Sequence, residues 1–183
     1  MGAHARTAVD PQPGGGDGNR SEAEPAVHPE RFKDSLASVA APVSVVTALE
    51  RGRPHGTTVS AFCSLSLRPP LVLVSLARDS ALLRLIPTTE RFAINVLAAG
   101  QEDLARRFAR KGSDKFDGVS WRLDHRLPRL PDCRGFIACR LERLVEGGDH
   151  MVAIGLVVHA ERAPRPPLVY CERAFSTVPW EGE

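Results

Sequence analysis

At 183 residues, with 43% hydrophobic and 25% charged side chains, the chain is sized for one domain built around a single core. Its 24 basic and 22 acidic residues leave a net charge of +2, and the 21 arginines are interspersed with acids. Such a surface lacks the one-signed field that binding to nucleic acid or an anionic membrane generally needs.

Apolar stretches such as Leu71–Ala77 fall far short of the roughly 20 residues of a membrane-spanning helix. The N-terminus carries Asp10, Asp17, Glu22 and Glu24 among Gly and Pro where a secretory signal would be apolar, so a cytoplasmic location is expected. Cysteines stand at 63, 133, 139 and 171 with no C-x-x-C and no histidine at ligand spacing. Neither zinc, any other metal, nor a disulfide framework is signalled.

In chain order, residues 1–29 hold Pro, Gly and polar residues with too little apolar area to offset the entropy of ordering, and are expected to be a disordered tail. The domain then runs over 30–178, with 179–183 a short C-terminal tail. A helix opens at Arg31, with Phe32, Leu36 and Val39 on one face and Pro42 ending it. Val43–Leu49 reads as a strand, 51–56 as a turn, and Thr57–Leu67 as the returning strand, stopped by Pro69-Pro70. Leu71–Ala77 has the composition of a fully buried strand. Asp79 or Ser80 caps a helix that runs to Ile86 and stops at Pro87. Phe92–Leu97 is a strand, and Gln101–Lys111 is an amphipathic helix stopped by Gly112. After a loop at 113–118 come strands at Ile137–Glu146, Met151–Arg162 and Leu168–Tyr170, the first two joined by Gly147-Gly148. With six or seven strands, two or three helices, no βαβ alternation and no G-x-G-x-x-G, the pattern excludes a Rossmann sheet and fits a mainly β, antiparallel barrel with accessory helices.

Three stretches are rich enough in polar chemistry to form a site. In 56–70, small hydroxylated residues stand where a barrel strand normally carries Val or Ile. They form either the solvent face of an antiparallel strand or a surface that lets backbone N–H groups approach a planar polar ligand. Ser64, Ser66 and Ser80 are placed to meet a phosphate tail, helped by the free N–H groups of a helix start. Gly147-Gly148-Asp149-His150 puts an imidazole beside a carboxylate on a loose turn, either as an exposed turn histidine or as a ligand contact. Pro167–Phe175 holds the only tyrosine near Arg173, an arrangement open both to a closing strand and to stacking on a nucleotide. No G-x-S-x-G elbow is present, which argues against a serine hydrolase.

Together these stretches resemble the flavin reductase family with the FMN-binding split-barrel fold, the reductase components of two-component flavin monooxygenases. The likeness runs from Phe32 to Phe175 through T-V-S-A-F-x-S-L-S-L-x-P-P-L-V-L-V-S-L at 58–76, F-A-I-N-V-L at 92–97, L-A-R-R-F-A at 104–109, K-F-D-G-V-S-W at 115–121, G-D-H at 148–150 and P-L-V-Y at 167–170. Arg68, where such proteins commonly carry an acid, and Pro179-Trp180 near the end depart from the pattern.

The resemblance implies an NAD(P)H:flavin oxidoreductase that reduces FMN or FAD with NADH or NADPH and releases reduced flavin by diffusion to a partner monooxygenase. By the same analogy Thr58, Val59, Ser60 and Ala61 line the flavin ring, Ser64, Leu76, Ala77 and Ser80 border its ribityl and phosphate, and Phe108 and Lys115 approach from the other side. His150 is the implied catalytic residue, facing the nicotinamide together with Tyr170 and Phe175. A homodimer is implied as well. The other reading of the same likeness is a flavin- or haem-binding split-barrel protein without turnover.

Overall fold

The computed structural model describes residues 25–112 and 114–179. The expected tails therefore lie largely outside the described residues: of the first, only 25–29 are described, and Pro29 already opens a helix.

The elements follow in chain order as α1 (Pro29–Ala37), β1 (Ala41–Pro42), β2 (Ser44–Glu50), β3 (Arg53–Val59), β4 (Phe62–Leu67), β5 (Pro70–Ala77), α2 (Ala81–Thr89), β6 (Arg91–Val96) and α3 (Glu102–Ala109). They continue with β7 (Arg122–Asp124), β8 (Leu127–Arg129), β9 (Gly135–Gly147), β10 (His150–Arg162), β11 (Leu168–Cys171) and β12 (Ala174–Thr177). The main sheet has seven strands in the order β3-β2-β6-β9-β10-β5-β4, every neighbouring pair antiparallel. A three-stranded sheet β1-β11-β12 and the hairpin β7-β8 complete the fold.

Sequence order and sheet order together impose a curl. β3 and β4 are the two edges of the seven-stranded sheet, yet only Ser60 and Ala61 separate them in sequence. Across a flat sheet six strand spacings would amount to about 29 Å, whereas the link from Val59 to Phe62 reaches about 10 Å. The sheet must bend round to bring its edges together. Its hydrogen bonding does not close, since β3 pairs only with β2 and β4 only with β5. The single strand expected over 57–67 is therefore two, broken where the chain leaves one edge for the other. Ser75 N donates to the Ala61 carbonyl at 2.9 Å and fixes that corner.

Both faces of the sheet are covered. Side chains alternate along a strand, so Val46 and Ala48 of β2 join one apolar cluster with Leu82, Leu83 and Ile86 of α2, while Val45 joins another with Ala105 and Phe108 of α3. That double cover is why β2 is buried over Ser44–Ala48 instead of alternating with solvent. The polar members of this core are all bonded. Ser44 donates to the Val59 carbonyl (2.9 Å) and Thr47 to that of Pro128 (2.7 Å). Asn95 of β6 donates to the Val45 carbonyl and the Thr47 hydroxyl, and accepts from Leu130 N–H at 2.9 Å.

Two further expectations change. Pro87 does not stop α2 but sits inside it, and the helix ends two residues later with Glu90 at φ 54°. Pro87 lacks the N–H that would bond the Leu83 carbonyl, and the helix runs only to Thr89 beyond it. The face of α1 expected to pack inward is exposed, with Phe32 and Leu36 53% and 55% accessible. The helix is held by polar links instead, an Arg173–Asp34 ion pair and Glu172 N–H to the Ala37 carbonyl at 2.6 Å. Among the described residues, no helix is long and apolar enough to cross a membrane.

Candidate functional site

A cleft of about 720 Å³ opens along the free edge of β3. Facing that edge are the last residues of β5 (Ser75–Ala77), the start of α2 with Asp79 and Ser80, the residues after α3 (Ala109–Gly112, Lys115, Phe116), and His150 at the head of β10. Its size falls within the range of small-ligand and cofactor sites. An edge strand leaves one side of its backbone without a strand partner, so N–H and C=O groups are available there.

Seven of the sequence-derived candidates line this cleft: Thr58, Val59, Leu76, Ala77, Ser80, Lys115 and His150. They come from five separate segments. The β5–β10 ladder places His150 directly opposite Ala77, with Met151 opposite Leu76, which joins two motifs more than seventy residues apart in sequence. Arg78 secures the junction by donating through Nε to the Gly148 carbonyl (2.8 Å) and through its backbone N–H to that of Asp149 (3.0 Å). His150 Nδ1 lies 2.7 Å from Asp149 Oδ1, and this hydrogen bond holds the Asp149 carboxyl below its usual range. The pair fixes the ring while 44% of the side chain stays accessible.

On the opposite wall, α3 sits close to β3 because residue 56 is glycine. A Cβ there would lie 2.9 Å from Phe108 Cε1 and 3.2 Å from Phe116 Cε2. Thr58 ties the same two elements by donating its hydroxyl to the Ala105 carbonyl at 2.7 Å. Lys115 donates to the carbonyls of Phe108 (3.0 Å) and Gly56 (3.3 Å), and burial pushes its ammonium pKa down. Ser80 stands at the N-cap of α2 with no capping bond from its side chain, leaving first-turn N–H groups for another acceptor. Arg84, Arg110 and Lys111 also line the cleft, against Asp79 as the one carboxylate among the lining residues. The balance favours an anionic ligand.

The remaining candidates lie elsewhere. Ser60, Ala61 and Ser64 are exposed at the β3–β4 corner and along the β4 edge. Phe108 is fully buried in the core under α3 and reaches no ligand surface, because the helical period turns Leu104, Ala105 and Phe108 toward the sheet. Tyr170 and Phe175 form an edge-to-face pair, 5.1 Å between centroids, in a second cleft of about 700 Å³ between α3 and the β11–β12 hairpin. In the single chain that cleft does not contain His150, although Thr58 and Ala109 line both.

Sequence reasoning missed Arg84, Arg110, Lys111 and His55 as cleft residues. The period of two would have placed His55 on the same face as Thr57 and Val59 had the β2–β3 turn been assigned to Arg51-Gly52 alone. His55 Nε2 is buried and has no hydrogen-bond partner. Among the described residues, no cluster of three or more His, Cys, Asp or Glu is arranged to hold a metal ion.

Comparison with known proteins places this geometry in context. The chain is 37% identical over 161 residues to the NADH:riboflavin 5'-phosphate oxidoreductase of Streptomyces pristinaespiralis, covering 85% of this chain and 91% of that one. It is 36% identical over 152 residues to the reductase component of 4-hydroxyphenylacetate 3-monooxygenase from Thermus thermophilus, covering 82% and 97%. Among solved structures, the NADH:FAD oxidoreductase of Streptomyces globisporus in complex with NAD and FAD fragments superposes with a TM-score of 0.77 at 33% identity, over 84% of this chain and 96% of that one. The model of the flavin reductase like domain matches residues 36–179, and the chain belongs to that family.

Proposed function

We propose that this protein is an NAD(P)H:flavin oxidoreductase that reduces FMN or FAD and supplies reduced flavin to a separate flavin-dependent monooxygenase. The observation that carries the reading is the cleft itself: a free strand edge, an uncapped helix start and an excess of cations converge on one space of about 720 Å³. A flat polar ring ending in a phosphate fits that donor set. The family of the chain, and relatives named as an NADH:riboflavin 5'-phosphate oxidoreductase and as the reductase component of a monooxygenase, support the same function.

When bound, the flavin supplies the centre that accepts a hydride from the nicotinamide. The protein's task is to bind, orient and polarise. The β3 edge at Thr58 and Val59, with Ser60 and Ala61 at its end, presents backbone donors to the ring. Donors aimed at a ring edge that becomes negative stabilise the reduced form as an oxyanion hole does. Leu76, Ala77, Ser64 and Ser80 flank the tail, and Lys115 adds positive charge where Gly56 and Phe108 anchor it. His150, held by Asp149, orients the nicotinamide. Tyr170 and Phe175 serve the same partner from the far side of the Thr58 wall, which both clefts share.

The split-barrel arrangement belongs to this reading and is supported by the curl that the Ser60-Ala61 link imposes. So does a cytoplasmic homodimer, for which the uncovered apolar face of α1 is the supporting feature.

The test is turnover. Protein mixed with each flavin and each nicotinamide nucleotide should oxidise the nucleotide steadily, whereas flavin binding without oxidation, or a haem band on purification, would replace the enzyme by a carrier. His150→Ala should lower turnover and raise the KM for the nucleotide, on the order of 10- to 100-fold in kcat/KM. Unchanged kinetics would remove His150 from the mechanism.

A further inference from the structure

Among the described residues a single buried polar side-chain atom lacks a hydrogen-bond partner, Nε2 of His55. Buried polar atoms are almost always bonded, and an exception calls for a cause. The other polar groups sealed inside the sheet, on Ser44, Thr47 and Asn95, are all satisfied. The exception stands on the wall of the cleft, on the edge strand β3. One residue along, the Gly56 carbonyl holds the Lys115 ammonium at 3.3 Å, and Arg84 and Arg110 line the same cleft. A nitrogen donor in such surroundings is suited to an anionic oxygen.

We propose that His55 positions the flavin nucleotide by donating a hydrogen bond from Nε2 to an oxygen of its phosphate. The inference rests on the reading of this cleft as the flavin site and extends it by one residue and one contact. His55 is only partly buried and lines the cleft, so a ligand oxygen entering there can meet its ring with β3 in place. The nitrogen then gains on binding the partner that it lacks in the free protein. Its contribution is to affinity, and in the absence of ligand it is neutral or adverse to stability. A histidine kept for packing would behave in the opposite way.

The experiment compares the wild-type protein with His55→Phe, which keeps a ring of similar shape and removes the nitrogen, and with His55→Gln, which restores a donor. Each is titrated with FMN and, separately, with riboflavin, which lacks the phosphate, in the absence of nicotinamide nucleotide, and each is melted without ligand. The Phe variant should bind FMN about tenfold or more weakly, bind riboflavin as wild type does, and melt no lower than wild type; Gln should recover part of the FMN affinity. Equal losses for both flavins, or a lower ligand-free melting temperature with the preference for FMN intact, would overturn the proposal. So would a loss seen only in the KM for NADH, which would assign the contact to the dinucleotide. Should the Phe variant not fold, the His55 nitrogen resonances of the wild-type protein decide: a shift with FMN and none with riboflavin supports the contact, and no difference rejects it. Wild-type protein that binds neither FMN nor FAD removes the flavin reading and this inference together, while tight FMN binding by both wild type and the Phe variant removes the inference alone.

Discussion

Two polar regions of this molecule use the same chemical groups to opposite ends. Around Asn95, an amide and the Thr47 hydroxyl are sealed within the sheet, and each finds partners that join β2, β6, β8 and Leu130 just after it. Along the β3 edge, backbone groups, an uncapped helix start and the His55 nitrogen lie open or unmatched, with most of the nearby charge of one sign. A satisfied buried network specifies a fold. Unsatisfied polarity gathered on one wall is adverse to folding and is retained for something that binds. The contrast separates scaffold from site without reference to any relative.

The contrast can be broken most severely at Asn95. Asn95→Leu strands the buried Leu130 N–H and should cost roughly 2–4 kcal/mol in denaturant unfolding; a near-neutral result would remove the scaffold half of the comparison. Next is Gly155, where an added Cβ would lie 2.5 Å from Phe92 Cζ and 2.9 Å from Cys139 Cβ. Gly155→Ala should destabilise by about 1–3 kcal/mol, since that core has no room to shift. By contrast, substitutions on the cleft wall should change flavin affinity while leaving the unfolding midpoint near wild type.

A partly exposed polar cluster sharpens the scale. Arg129 bridges Asp124 (2.8 Å) and Glu161 (2.7 Å), which holds both carboxyls low, Glu161 at about 2 against an ordinary 4.5. Carboxylates depressed in the folded state lend stability above their unfolded pKa and lose it as pH falls toward the folded value. Wild-type stability should therefore drop between about pH 4.5 and 2, and Arg129→Met should flatten that drop, measured as melting temperature against pH. The effect should be smaller than at Asn95, because solvent screens the cluster. Smallest of all, alkylation of the exposed Cys63 should leave stability untouched and report accessibility alone. Burial pushes Cys133 and Cys139 up to about 12, so at neutral pH they should label last, while exposed Cys63 on edge strand β4 labels first by mass spectrometry.

Elements whose burial is periodic were legible in the sequence. The spacing of Leu104, Ala105 and Phe108 marks α3, and Leu71–Ala77 and Met151–Arg162 read as strands at nearly the bounds observed. Strands β7, β8 and β12, of three or four residues each, escaped because so short a run has no period to detect. The α1 face misled for a related reason: periodicity reports which residues are apolar together, and says nothing about whether this chain supplies a surface to cover them.

The site divides along the same line. The small hydroxylated stretch after Gly56, the Gly-Asp-His turn and the mainly antiparallel architecture follow from residue types and spacing, which act over a few residues and can be read locally. That Ala77 faces His150, that the chain breaks at Ser60-Ala61, and that Arg84, Arg110, Lys111 and His55 gather on one cleft were settled only by folding. Those contacts join segments far apart in sequence, and their geometry depends on strand register and sheet curl, which no local pattern encodes.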